Sequence, residues 1–191
     1  PDATETVDVV VSIERNVVLT EWNIATPTSL VHDVVATDKR NPRLYPYGKV
    51  YGVDVGMDLL TVVDPLEQTS EKIDVPFLDD ESKMTAREFP IVNFEPWRYW
   101  GPKVVWKNIA APHNPMFDGK GRVWMTTASR GPVNPSWCVN GDENPFAKYF
   151  PLKQGGKQAG YFDTKTGKFE FVPTCVRTHH LQFDDDRDNT V

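Results

Sequence analysis

The stretch Pro112-His113-Asn114-Pro115-Met116-Phe117-Asp118-Gly119-Lys120-Gly121-Arg122-Val123-Trp124-Met125-Thr126-Thr127 reads as a short strand, an aspartate-led tight turn and a second strand. Apolar, β-branched and aromatic residues fill the strand positions, and the Asp-Gly-Lys-Gly run supplies the turn. Downstream, Tyr161-Phe162-Asp163-Thr164, the turn Lys165-Thr166-Gly167 and Lys168-Phe169-Glu170-Phe171-Val172-Pro173 read as strand, hairpin, strand and proline stop. The aspartate suits its place because its carboxylate accepts backbone N–H groups across a turn. Together these pieces make four antiparallel strands. The same order recurs upstream. Gly48-Lys49-Val50-Tyr51-Gly52-Val53-Asp54 parallels residues 121–127, and Val62-Val63-Asp64-Pro65 leads through a polar turn to Lys72-Ile73-Asp74-Val75-Pro76. A further copy opens with His179-His180-Leu181-Gln182-Phe183-Asp184, where a histidine again lies four residues before a Phe-Asp pair. A repeating unit of four antiparallel strands is a propeller blade.

The expected fold is therefore all-β, a propeller segment of about three four-stranded blades within a larger ring. Residues 1–76 hold the first blade or blades, with strands expected at 7–13, 16–22, 49–54, 59–64 and 71–75. Residues 77–111 form an aromatic-rich insertion between blades. Residues 112–173 form a blade with an internal insertion at 131–157, and residues 174–191 begin the next. Residues 28–38 are read as a turn or two of helix, limited by nearby prolines. Composition agrees with short strands joined by loops: 191 residues include 16 Pro, 12 Gly, 6 Trp, 6 Tyr and 10 Phe. The net charge of −6 argues against a nucleic-acid partner, and no apolar run reaches the length of a membrane helix. So few blades would leave apolar faces and sheet edges bare. We therefore expect either the remainder of the propeller or another protein chain as the partner. The first residues carry neither a basic nor an apolar signal region, as a processed start also would.

The runs PHNPMFDGKGRVWMTT, AGYFDTKTGKFEFVPT and THHLQFD resemble blades of the streptogramin (virginiamycin B) lyase-type propellers and of large exported bacterial lyase-like proteins. The likeness is good over residues 103–191, fair over 48–76 and poor before that. It implies magnesium-assisted elimination from a cyclic ester, with a histidine at the channel mouth as base. His113 and His179 or His180 are the matching positions; no matching acidic partner is identifiable.

Read from the residues, His113 and His179 occupy equivalent starts of inner strands, which converge on one mouth of a propeller channel. Imidazoles there can act as bases or hold a divalent cation; each can equally bond backbone and fix its blade. His32-Asp33 is a weaker third candidate, its spacing to the next strand being longer. Asp184, Asp186 and Asp188 have the alternation of a calcium loop without its glycine, or form a solvated acidic hairpin. Trp97, Tyr99, Trp100 and Trp106 form a docking surface or a local plug. Cys138 and Cys175 form a disulfide or remain two separate thiols. The Pro/Gly/Asn-rich loop around Cys138 favours the bridge, and a bridge favours a periplasmic or extracellular protein. Two function classes stand: a non-catalytic propeller binding a partner through loops and insert, and a metal-assisted lyase or hydrolase using His113 and His179, with magnesium or calcium as the cation.

Overall fold

The computed structural model describes residues 31–37, 45, 48–84, 107, 109–139, 147, 155–188 and 190–191. The strands expected at 7–13 and 16–22 and the aromatics Trp97, Tyr99, Trp100 and Trp106 lie outside the described residues. Eight strands are described: β1 (Val31–Val35), β2 (Val50–Asp54), β3 (Leu59–Asp64), β4 (Thr69–Asp74), β5 (His113–Phe117), β6 (Arg122–Thr127), β7 (Gln158–Asp163) and β8 (Lys168–Val172). They form two four-stranded antiparallel sheets, ordered β1-β2-β3-β4 and β5-β6-β7-β8. The expected all-β class is present; the two sheets are open, not closed on themselves.

One expectation is corrected. Residues 28–38 were assigned a helical turn, but Val31–Val35 is a strand that pairs with β2. Three of its five residues are valine, and β-branched side chains lose rotamer freedom in a helix and pack well on a pleated sheet.

Each sheet grades from a buried middle to an exposed edge. In β2 and β3 both faces of the sheet are buried, Tyr51, Val53, Leu60 and Val62 on one and Asp54, Thr61 and Val63 on the other. By contrast β4 (TSEKID) and β8 (KFEFV) are mostly exposed or half-buried, with Glu71, Lys72, Lys168 and Glu170 along them. Charges on an edge strand discourage pairing with another chain. The hairpins close as the residue chemistry dictates. Asp64 Oδ1 accepts from Leu66 and Glu67 N–H, both at 3.1 Å. Asp163 Oδ1 accepts from Lys165 and Thr166 N–H at 2.8 and 3.0 Å.

The sheets pack face to face through one core, in which Tyr51, Val53, Leu60 and Val62 meet Phe117, Val123, Met125 and Phe162. Tyr51 stands edge-on to Phe117 with ring centroids 5.5 Å apart. Each such aliphatic side chain contributes about 1.5–3 kcal/mol on burial. A second cluster covers another part of the β5–β8 sheet, where Leu181 and Phe183 pack on Met116, Ala159 and the ring of Trp124. The chain after β8 therefore lies on that sheet. Cys138, in a single 3-10 turn (Ser136–Cys138), is bonded to Cys175 across 37 positions, with Cα atoms 5.3 Å apart.

Candidate functional site

Antiparallel register sets which residues share an end. His113 pairs with Thr126, Thr127 with Gln158, and Ala159 with Val172. The start of β5, the loop containing Cys138 and the segment after β8 therefore meet at one end of their sheet. The aspartate hairpins lie at the other.

The first strand of each sheet breaks register near its start. The shift falls between Val31 and Asp33 in β1, and between His113 and Met116 in β5. Such bulges re-aim side chains. Asn114 takes the left-handed conformation, φ 54°, within the second bulge. Asparagine tolerates that region because its short amide bonds locally. Here the Asn114 N–H donates to Asp33 Oδ2 at 3.1 Å, and its Oδ1 accepts from Leu181 N–H at 2.6 Å. One residue thus ties the first sheet, the second sheet and the segment after β8 together. The approach to β5 is fixed too. Ala111 has φ 44°, and buried Asp58 accepts from the N–H groups of Ile109 and Ala111, both at 2.8 Å.

This framework brings three predicted residues into contact. The rings of His113, His179 and His180 come together: His180 stacks on His113 and on His179, with centroids 4.9 and 4.2 Å apart, and His113 and His179 are tilted to each other at 4.6 Å. One ring nitrogen from each lies within 4.8 Å of the others, and among the described residues this is the one group of three or more histidines, cysteines and carboxylates so arranged. The His113 side chain is only 11% exposed, and its Nδ1 faces Asp33 Oδ2 at 3.7 Å. His179 and His180 are exposed. The Thr126 hydroxyl donates to the His179 carbonyl at 2.6 Å, anchoring that backbone to β6. Beside Asn114 a cavity of about 230 Å³ is lined by Val35, Thr37, Met116, Phe117 and Gln182.

The other candidates are placed differently. Asp184, Asp186 and Asp188 sit on an exposed turn, where Asp186 Oδ1 accepts from Asp188 and Thr190 N–H at 3.2 and 3.1 Å. That carboxylate organises its own turn. His32 lies on β1. Asp33 is the residue that sequence reasoning undervalued. Its signal was its place beside His32, near the start of β1.

Magnesium, which the family resemblance implies, takes six oxygen ligands in a near-octahedral shell. The cluster offers three imidazole nitrogens, with the Asp33 carboxylate turned to one of the imidazoles. These residues do not fit magnesium, and the same chemistry disfavours calcium.

Compared with models of known protein families, with curated proteins and with solved structures, the chain has no match. No helix among the described residues is long and apolar enough to cross a membrane.

Proposed function

We propose that this chain is a segment of an exported β-propeller whose reactive centre is the imidazole cluster, with chemistry of the lyase or hydrolase class on an ester or lactone. The observation that carries this reading is the convergence of His113 with His179 and His180 from two separate places in the chain. Four further features support it. The two sheets share one strand order, and in each the last strand is exposed or half-buried throughout. The segment from Leu181 to Phe183 covers the second sheet as the start of a next blade would. A small cavity of mixed lining, with Val35, Met116 and Phe117 beside Thr37, Asn114 and Gln182, lies next to Asn114 and can take part of a ligand. The Cys138–Cys175 bond suits an oxidising compartment.

The test is incubation of the protein with a panel of cyclic depsipeptides and simple lactones, read by mass spectrometry. Elimination opens a ring without change of mass, whereas hydrolysis adds one water. We expect turnover that falls by about a hundredfold or more in His113→Ala. Turnover equal to wild type in that variant removes the cluster from the chemistry.

A second reading, a binding propeller completed by more chain or by a partner protein, is favoured by the bare start of the first sheet. Val31 and Val34 of β1 are 36% and 65% exposed. Valines in an inner strand of a propeller are covered by the neighbouring blade.

A further inference from the structure

We propose that His113, His179 and His180 form a three-imidazole site for a zinc-class transition-metal ion, with Asp33 positioning His113 from the neighbouring sheet. This rests on the reading of the imidazole cluster as the functional centre and says what that centre holds. Imidazole nitrogen suits zinc, copper, nickel and iron, whereas magnesium and calcium select oxygen. Three protein ligands with a fourth position for water is the arrangement of catalytic zinc.

The geometry permits it after a small closing movement. Metal–nitrogen bonds of about 2.1 Å in a tetrahedral site put nitrogens roughly 3.4 Å apart. The ring nitrogens here lie within 4.8 Å of one another. The exposed rings of His179 and His180 have room to turn, while their backbone is anchored by the Thr126 bond to the His179 carbonyl and the Asn114 bond to Leu181 N–H. His113 is the fixed member, largely buried, with Nδ1 toward Asp33. That orientation assigns the metal to Nε2 of His113. A carboxylate behind a ligating histidine holds its tautomer and ring plane and raises its basicity. A bound ion also clamps the segment after β8 to the start of β5, so occupancy stabilises the contact between them. Water on such an ion loses a proton near neutral pH, giving a hydroxide able to attack an ester or remove a proton.

The experiment uses the full 191-residue chain, stripped of metal by chelator and titrated separately with zinc, cobalt(II), magnesium and calcium chlorides. Native mass spectrometry reads stoichiometry, the visible absorption of bound cobalt reads geometry, and thermal unfolding reads linkage. We expect one zinc or cobalt per chain, an intense cobalt spectrum of a four-coordinate site, a raised unfolding temperature, and none of these with magnesium or calcium. His180→Ala, at an exposed position, should weaken zinc at least tenfold with unchanged circular dichroism. Asp33→Asn should weaken it about 10–100-fold while leaving the stoichiometry intact. The proposal is overturned if zinc and cobalt bind no better than to the His179→Ala/His180→Ala double variant, or if magnesium competes equally. Metal binding without turnover on any ester rejects the reaction and keeps the site. Turnover in the metal-free protein, together with zinc bound no better than by the double variant, rejects the site and keeps the reaction.

Discussion

Asp118 shows how a single side chain organises this fold. It is fully buried, and it accepts from the N–H groups of Lys120 and Arg122, from Arg122 Nε at 2.6 Å and from Trp124 Nε1 at 2.8 Å. The Arg122 guanidinium then covers the rings of Trp124 and Tyr161. Burial pushes the Asp118 carboxyl upward, but the bonds from Arg122, Trp124 and Lys120 together outweigh it and hold the pKa below the ordinary 3.8. The folded value is thus below the unfolded one. Its contribution to stability is complete above about pH 4 and is lost as pH falls through the folded value. Asp118→Ala leaves Arg122 and Trp124 without their acceptor and should cost about 3 kcal/mol. Urea unfolding at neutral pH measures that loss, and the variant should show a shallower acid dependence than wild type. Asp58 has the opposite sign. Burial raises its pKa despite the N–H groups of Ala111, Ile109 and Ala110 and the charge of Lys107, so its share of stability declines as pH rises through the raised value.

Among the elements, the first strands of the two sheets carry Asp33 and His113, the segment after β8 carries His179 and His180, and β4 and β8 carry none of the site. β1 and β5 each break register where Asp33 and His113 stand, and Asn114 bonds across the break. Asn114→Ala removes the side-chain acceptor of the Leu181 N–H, keeps the backbone N–H that donates to Asp33, and places a residue with no local amide at φ 54°. We expect it to weaken zinc binding while costing about 1–3 kcal/mol of stability, measured by cobalt titration beside urea unfolding. Affinity equal to wild type would mean that the bulge shapes the strand and not the cluster. The disulfide acts on the loop at the same end. By the chain-entropy estimate, closing a loop of 37 positions contributes about 3–4 kcal/mol. Cys138→Ser/Cys175→Ser should lower the urea midpoint accordingly, and reducing agent should then have no further effect.

At the scale of the molecule, the two sheets bury one shared core, and Leu181 with Phe183 covers part of the second. The start of the first sheet is bare by comparison, with Val34 exposed. If the chain is a segment of the proposed propeller, its exposed apolar surface should make it associate. Sedimentation of the 191-residue chain alone is expected to show species heavier than 21.7 kDa that dissociate with a mild denaturant. A monodisperse monomer with one cooperative unfolding transition would argue that these sheets form a complete unit and would remove the propeller reading.

Strand positions after residue 48 were legible along the chain because they rest on local physics. Alternating β-branched and aromatic residues, aspartates before turns and glycine at φ 68° in Gly167 act within a few residues. The pairing of Cys138 with Cys175 was half legible, since two cysteines allow one bond but do not require it. Residues 31–35 were misread because a short valine run carries no clear period. The site depended on what neighbouring residues cannot specify. His113 and His179 stood out along the chain because each lies four residues before a Phe-Asp pair. That their rings touch, that His180 joins them and that Asp33 faces His113 follow from register breaks in two strands and from the packing of Leu181. Sequence by itself determined the strands after residue 48 and their aspartate turns, whose energies are local. Only the tertiary structure decided the imidazole cluster, because it is made by contacts between residues far apart along the chain.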